Sequence, residues 1–159
     1  MDRCFRRKMR SRERGAEAVE FALVVPILLT LVFGIVDFGY MINRDTMINN
    51  ATREGARLGA LDPVTNDIEC KVRDSLTTVE PDVLPAVSAN CRPTGTKITV
   101  TITCRKPDNS ACSTFAADAA SGGTVIVKVD YQLSWITPVG GTIYPGGMTL
   151  SKTTEMRIE

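Results

Sequence analysis

The chain contains no histidine, which removes the commonest general base and the commonest neutral metal ligand. Aspartate, glutamate, lysine, serine and cysteine are all present, yet no spacing sets a nucleophile beside its base, so neither an enzyme nor a cofactor is expected. The five cysteines (Cys4, Cys70, Cys91, Cys104, Cys112) include no C-x-x-C pair, which disfavours zinc and leaves disulfide formation as their chemistry. The other chemically notable groups are two carboxylates bracketing an apolar run, Glu20 and Asp37. A charge at the margin of such a run is costly and is kept for a reason, and Glu20 fits that description. Asp37, 17 residues later, lies about 25 Å along a helix and reads as a solvated residue at the other boundary.

The element that positions both carboxylates is the run Phe21–Val36, FALVVPILLTLVFGIV, in which Thr30 is the only polar side chain. With Ala16, Ala18 and Val19 before it, and Phe38, Tyr40, Met41 and Ile42 after it, the stretch reaches the roughly 20 residues needed to cross a bilayer. A buried core helix has the same periodicity, but the remaining chain is too small to wrap a rod that is apolar all round. Pro26 removes one hydrogen bond inside the run, so a kink is expected. Residues 1–14 hold seven basic side chains against Asp2 and Glu13, a net of +5, whereas the remainder holds 12 basic and 16 acidic groups, a net of −4. Basicity confined to this arm argues against a nucleic-acid partner and, by the positive-inside bias, places the N-terminus in the cytoplasm and residues 43–159 outside. The apolar run is too long for a cleaved secretory signal, and the sequence after it, DFGYMINRD, has no small-x-small site.

The boundary Arg14-Gly15-Ala16-Glu17-Ala18-Val19-Glu20-Phe21 carries a sharper pattern: a glycine, four residues, then Glu-Phe opening the apolar run. It resembles the processing site of type IV prepilins, whose peptidase cuts after the glycine and leaves the apolar helix on the mature protein. Glycine suits such a site because it allows close backbone approach and disfavours helix. The resemblance implies removal of residues 1–15, a new ammonium on Ala16, and Glu20 as the fifth residue. In an assembly Glu20 would neutralise the terminal ammonium of a neighbouring subunit, a pairing strengthened at low dielectric. Taken alone, Glu20 also complements the positive end of its own helix.

Two further segments, Gly34-Ile35-Val36-Asp37-Phe38-Gly39 and Asn49-Asn50-Ala51-Thr52-Arg53-Glu54-Gly55-Ala56-Arg57-Leu58-Gly59-Ala60, extend the pattern over residues 14–60. Together they are similar to the N-terminal signature of TadE-like minor pilins, from the tight-adherence (Flp/Tad) type IVb pilus machinery. The resemblance implies a single-pass pseudopilin of the bacterial inner membrane, with its C-terminal domain periplasmic or extracellular, that takes part in assembling Flp pili for surface attachment. Its implied partners are a prepilin peptidase, other pilins and pseudopilins, the inner-membrane assembly platform and membrane lipid. The alternative is a single-pass anchored module that binds an envelope ligand and has no pilus role.

Four segments are expected: a leader over 1–15, a transmembrane helix over 16–42, its extension over 43–61, and an outer α+β domain over 62–159. In the extension, Met41, Ile48, Ala51, Gly55 and Leu58 share a face opposite Arg53 and Arg57. Ala51, Gly55 and Gly59 form a small-residue ridge that lets another backbone approach closely. Its occupant is either the chain's own outer domain or a neighbouring subunit. With Glu20 and Pro26, the ridge makes up the expected assembly interface.

Asp62-Pro63 ends this helix, and a shorter one is predicted over 66–79 with Ile68, Val72, Leu76 and Val79 as its apolar stripe. Period-two alternation predicts strands over 97–105, 124–136 and 148–159, the second with Val125, Val127, Val129, Tyr131, Leu133 and Trp135 on one face. Residues 137–147 read as a loop. A small antiparallel sheet is marginal on core burial alone, and two disulfides on the oxidising side would reinforce it. Of three connectivities, Cys104–Cys112 with Cys70–Cys91 is favoured by the intervening turns.

Overall fold

The computed structural model describes residues 3–61, 65–76 and 97–159, with side chains described from Gly15 onward except at 65 and 66. The elements are α1 (Arg3–Leu61), α2 (Thr65–Leu76), β1 (Ile98–Arg105), α3 (Phe115–Asp118), β2 (Thr124–Leu133), α4 (Pro138–Ile143) and β3 (Met148–Arg157). The fold is α+β, as the sequence predicts. It divides into two compact units, one comprising the chain up to Gly39 with Trp135–Pro145, the other Tyr40–Ser134 with Gly146–Glu159.

In the first unit, α1 runs unbroken through Pro26, and the Thr30 hydroxyl donates to the Pro26 carbonyl at 2.8 Å. The apolar side chains here face outward. Phe21 and Ile27 are each 71% exposed, and none of the most apolar window of the helix is buried in the protein. Among the described residues this stretch stays largely exposed, unlike a buried core helix.

The second unit is built on a three-stranded antiparallel sheet in the order β1-β2-β3. Ile98 pairs with Tyr131 and Arg105 with Thr124 across the first ladder, while Thr124 pairs with Arg157 and Leu133 with Met148 across the second. Alternation works as expected on the central strand, where Val125, Val127, Val129, Tyr131 and Leu133 are all buried. The strand stops at Leu133, two residues short of Trp135, which leaves that face. The core side of β3 includes two polar positions between Leu150 and Met156. Thr154 donates to the Thr52 hydroxyl of α1 at 3.1 Å, and Lys152 pairs with Asp45 of α1 at 3.0 Å. Polar residues interrupt that strand face because polar residues of the helix lie opposite.

Within this unit Ile48, Ala51, Thr52, Gly55, Ala56, Gly59 and Ala60 of α1 are buried together with Ile68, Val72 and Leu76 of α2. Leu58, assigned to the same face from the sequence, is only half-buried. The predicted end of α2 over 77–79 lies outside the described residues. Arg73 is buried because Glu69, one turn back, accepts from its Nε at 2.9 Å and its Nη2 at 2.8 Å.

Gly55 is where the helices come closest: a methyl group there would collide with Val72 Cγ2. At Gly59 it would meet Ile68 Cδ1 at 2.8 Å and Val125 Cγ2 at 3.0 Å. Gly39, on the same helix, has nothing within 4 Å of such a methyl. Alanine normally stabilises a helix interior by about 1 kcal/mol over glycine. Gly39→Ala is therefore expected to be neutral or stabilising in detergent, whereas Gly55→Ala should destabilise the outer unit by about 1–3 kcal/mol through overpacking. Denaturant unfolding followed by circular dichroism measures both.

Candidate functional site

Gly15, Ala16, Glu20 and Phe21 all lie on α1 with exposed side chains, and α1 remains helical through Gly15. The sequence expectation was that glycine would weaken the helix at this point. One unfavourable residue in a 59-residue helix does not stop it, since propagation is cooperative. A peptidase acting here would have to unwind a turn locally. Pro26 is also exposed.

Asp37 departs most from its sequence reading. It is only 5% exposed, and the solvated boundary residue expected from the sequence is instead an anchor for a segment a hundred residues away. The Thr137 hydroxyl donates to Asp37 Oδ2, while the backbone N–H groups of Thr137 and Ile136 donate to Oδ1 at 3.1 and 3.3 Å. Charge-assisted hydrogen bonds of this kind are stronger than neutral ones. The Thr137 hydroxyl also accepts from the Gly140 N–H at 3.3 Å, capping α4, whose first residue is Pro138. Gly140 itself presses against the site: a methyl group there would collide with Asp37 Oδ2 and lie 3.0 Å from Trp135. Residues 137–147 are thus not simply a loop. Thr-Pro was the overlooked signal, an N-cap residue followed by proline at the first helical position.

The small-residue ridge has its occupant within the chain. Ala51, Gly55 and Gly59 are buried in the outer unit, the two glycines against Ile68, Val72, Val125 and Val127. Of the two partners open to the ridge, the structure shows the chain's own outer domain. Cys104 and Cys112 form a disulfide with Cα atoms 5.3 Å apart. Cys70 is also disulfide-bonded, and its expected partner, Cys91, lies outside the described residues. The Cys104–Cys112 loop is tied further by Lys106, which pairs with Asp118 at 3.0 Å, and by the Ser113 N–H, which donates to Asp118 at 2.6 Å. Lys106, with these backbone donors, holds the Asp118 carboxyl below its ordinary pKa.

Residues 15–57 match the family model described as TadE-like protein, a match consistent with a pilin of the Tad system. No curated protein and no solved structure matches the chain. The matched segment contains the Gly15–Phe21 boundary, the apolar helix, Asp37 and most of the ridge, but not the sheet.

Two outcomes follow from this geometry. Thr137→Ala removes both a donor to Asp37 and the cap of α4, so it should lose about 1–2 kcal/mol of local stability. Faster amide hydrogen exchange at Gly140 and Tyr144 is the readout, and Thr137→Ser should restore protection. A carboxyl with a lowered native pKa stabilises above its unfolded value, and that stabilisation disappears as pH falls through the native value. Lys106→Met should therefore flatten the acid side of the stability curve below about pH 4, measured from denaturant midpoints across a pH series.

Proposed function

We propose that this chain is a membrane-anchored pseudopilin, processed by a prepilin peptidase after Gly15, that takes part in assembling Flp/Tad pili used for surface attachment. The TadE-like match over residues 15–57 carries this reading. It falls on a helix long and apolar enough to cross a membrane, whose apolar side chains are largely exposed among the described residues. The basic arm before the helix favours a cytoplasmic N-terminus and an outer domain beyond the bacterial inner membrane.

The role is structural rather than enzymatic: the covalent step is done to the chain. Hydrolysis of the Gly15–Ala16 peptide would leave the Gly15 carboxylate on the released leader and an ammonium on Ala16, four residues from Glu20. The burial of Ala51, Gly55 and Gly59 within the outer unit directs subunit contacts to the exposed membrane helix, where Glu20 and Pro26 lie. Prepilin peptidase, other pilins and the inner-membrane assembly platform are the partners this reading requires.

Intact-mass and N-terminal sequencing of the protein from cells with an active prepilin peptidase should find Ala16 as the first residue. Gly15→Val should leave the leader in place. Glu20→Gln should still be processed but should fail to support piliation. An N-terminus retained beside an active peptidase would favour a plain tethered binding module instead.

A further inference from the structure

We propose that Trp135–Pro145 is a second membrane-contacting element, lying in the headgroup region of a neutral lipid bilayer and held there by Asp37. The inference deepens the reading above and rests on its premise that α1 spans the membrane. The sixteen-residue run Phe21–Val36 measures about 24 Å along a helix, less than the roughly 30 Å of hydrocarbon it must cross. Glu20 and Asp37 flank this run symmetrically, so centring it in the bilayer puts Asp37 at the hydrocarbon edge. Ile136 and Thr137 donate to the Asp37 carboxylate within 3.3 Å. They therefore share its depth.

The segment at that depth suits lipid better than water. No charged residue occurs from Tyr131 through Ser151. Ile136, Ile143 and Tyr144 are 59%, 61% and 63% exposed, and Phe38, next to Asp37 in sequence, is 59% exposed. The Trp135 indole N–H donates to the Tyr144 carbonyl at 3.2 Å, and the two rings lie 6.0 Å apart. Tryptophan and tyrosine concentrate at membrane interfaces because an apolar ring with a polar tip fits there. The internal bonds of Asp37 and Trp135 satisfy the groups that would otherwise demand water at the hydrocarbon edge.

Trp135 is the only tryptophan, so its fluorescence reports on this segment alone. The full chain is reconstituted in phosphatidylcholine vesicles carrying bromine either near the headgroup or near the acyl-chain end. We expect blue-shifted Trp135 emission, strong quenching by the shallow bromine, weaker quenching by the deep one, and protection from aqueous acrylamide. Asp37→Ala should restore acrylamide access. A control carrying Phe21→Trp in a Trp135→Phe background reports on the α1 span independently. If that control is quenched by bromolipid while Trp135 stays acrylamide-accessible, the inference falls and the membrane-helix reading stands. If neither probe is quenched, the spanning helix fails and takes the inference with it. Trp135 protection that appears only at high protein-to-lipid ratio would assign the patch to subunit contact and overturn the lipid assignment.

Discussion

One helix, α1, must be compatible with two kinds of surroundings, and the other elements answer to that constraint. Its Phe21–Val36 stretch is apolar apart from Thr30 and is largely exposed among the described residues. Its C-terminal part is differentiated: Arg53 and Arg57 are exposed, while Ala51, Gly55, Ala56 and Gly59 are buried. A large side chain all round favours lipid, whereas a narrow small-residue edge favours close packing of protein. The same backbone serves both because the helix satisfies its own peptide groups in either setting.

The three-stranded sheet is too small to stand by itself, and its stability depends on what covers it. Helix α1 supplies that cover with small residues, so α2 and β2 approach closely enough for Val72, Ile68 and Val125 to fill the space over Gly55 and Gly59. Close approach carries a second requirement, since polar groups brought together must find partners. Thr52 meets Thr154 and Asp45 meets Lys152. The half-buried Lys152–Asp45 pair adds little energy, but it leaves neither charge unpartnered where β3 faces the helix. The Cys104–Cys112 disulfide closes the turn after β1 with a covalent tie.

Local features were legible from the residues. Alternation marked β1, β2 and β3 to within a few positions, Asp62-Pro63 marked the end of α1, and the Ile68-Val72-Leu76 stripe marked the buried face of α2, whereas the start of α1 at Arg3, upstream of Gly15, was not read. The Cys104–Cys112 pairing followed from the short turn between the two residues. Distant partnerships were not legible. Nothing near Asp37 signals that Ile136 and Thr137 will bind it, because the donors come from a segment a hundred residues away and two of the three are backbone groups. Lys152 and Thr154 interrupt an apolar alternation for the same reason, since their partners sit on α1. Thr137-Pro138 was a readable local signal, obscured by the Gly/Pro-rich composition around it.

Asp37 shows how a locally unfavourable residue is retained by a distant one. An ionised carboxylate at the end of an apolar helix, without donors, would demand water or a proton. Three donors from residues 136 and 137 remove that demand, and the Thr137 hydroxyl does so while capping α4. The helix thereby gains a fixed marker of where its apolar run ends, and α4 gains an anchor that six residues with no buried side chain would not otherwise have. The carboxylate, the threonine and the close-approaching Gly140 form one contiguous set of contacts. Asp37 lies inside the family-matched segment, whereas Thr137 and Gly140 lie outside it.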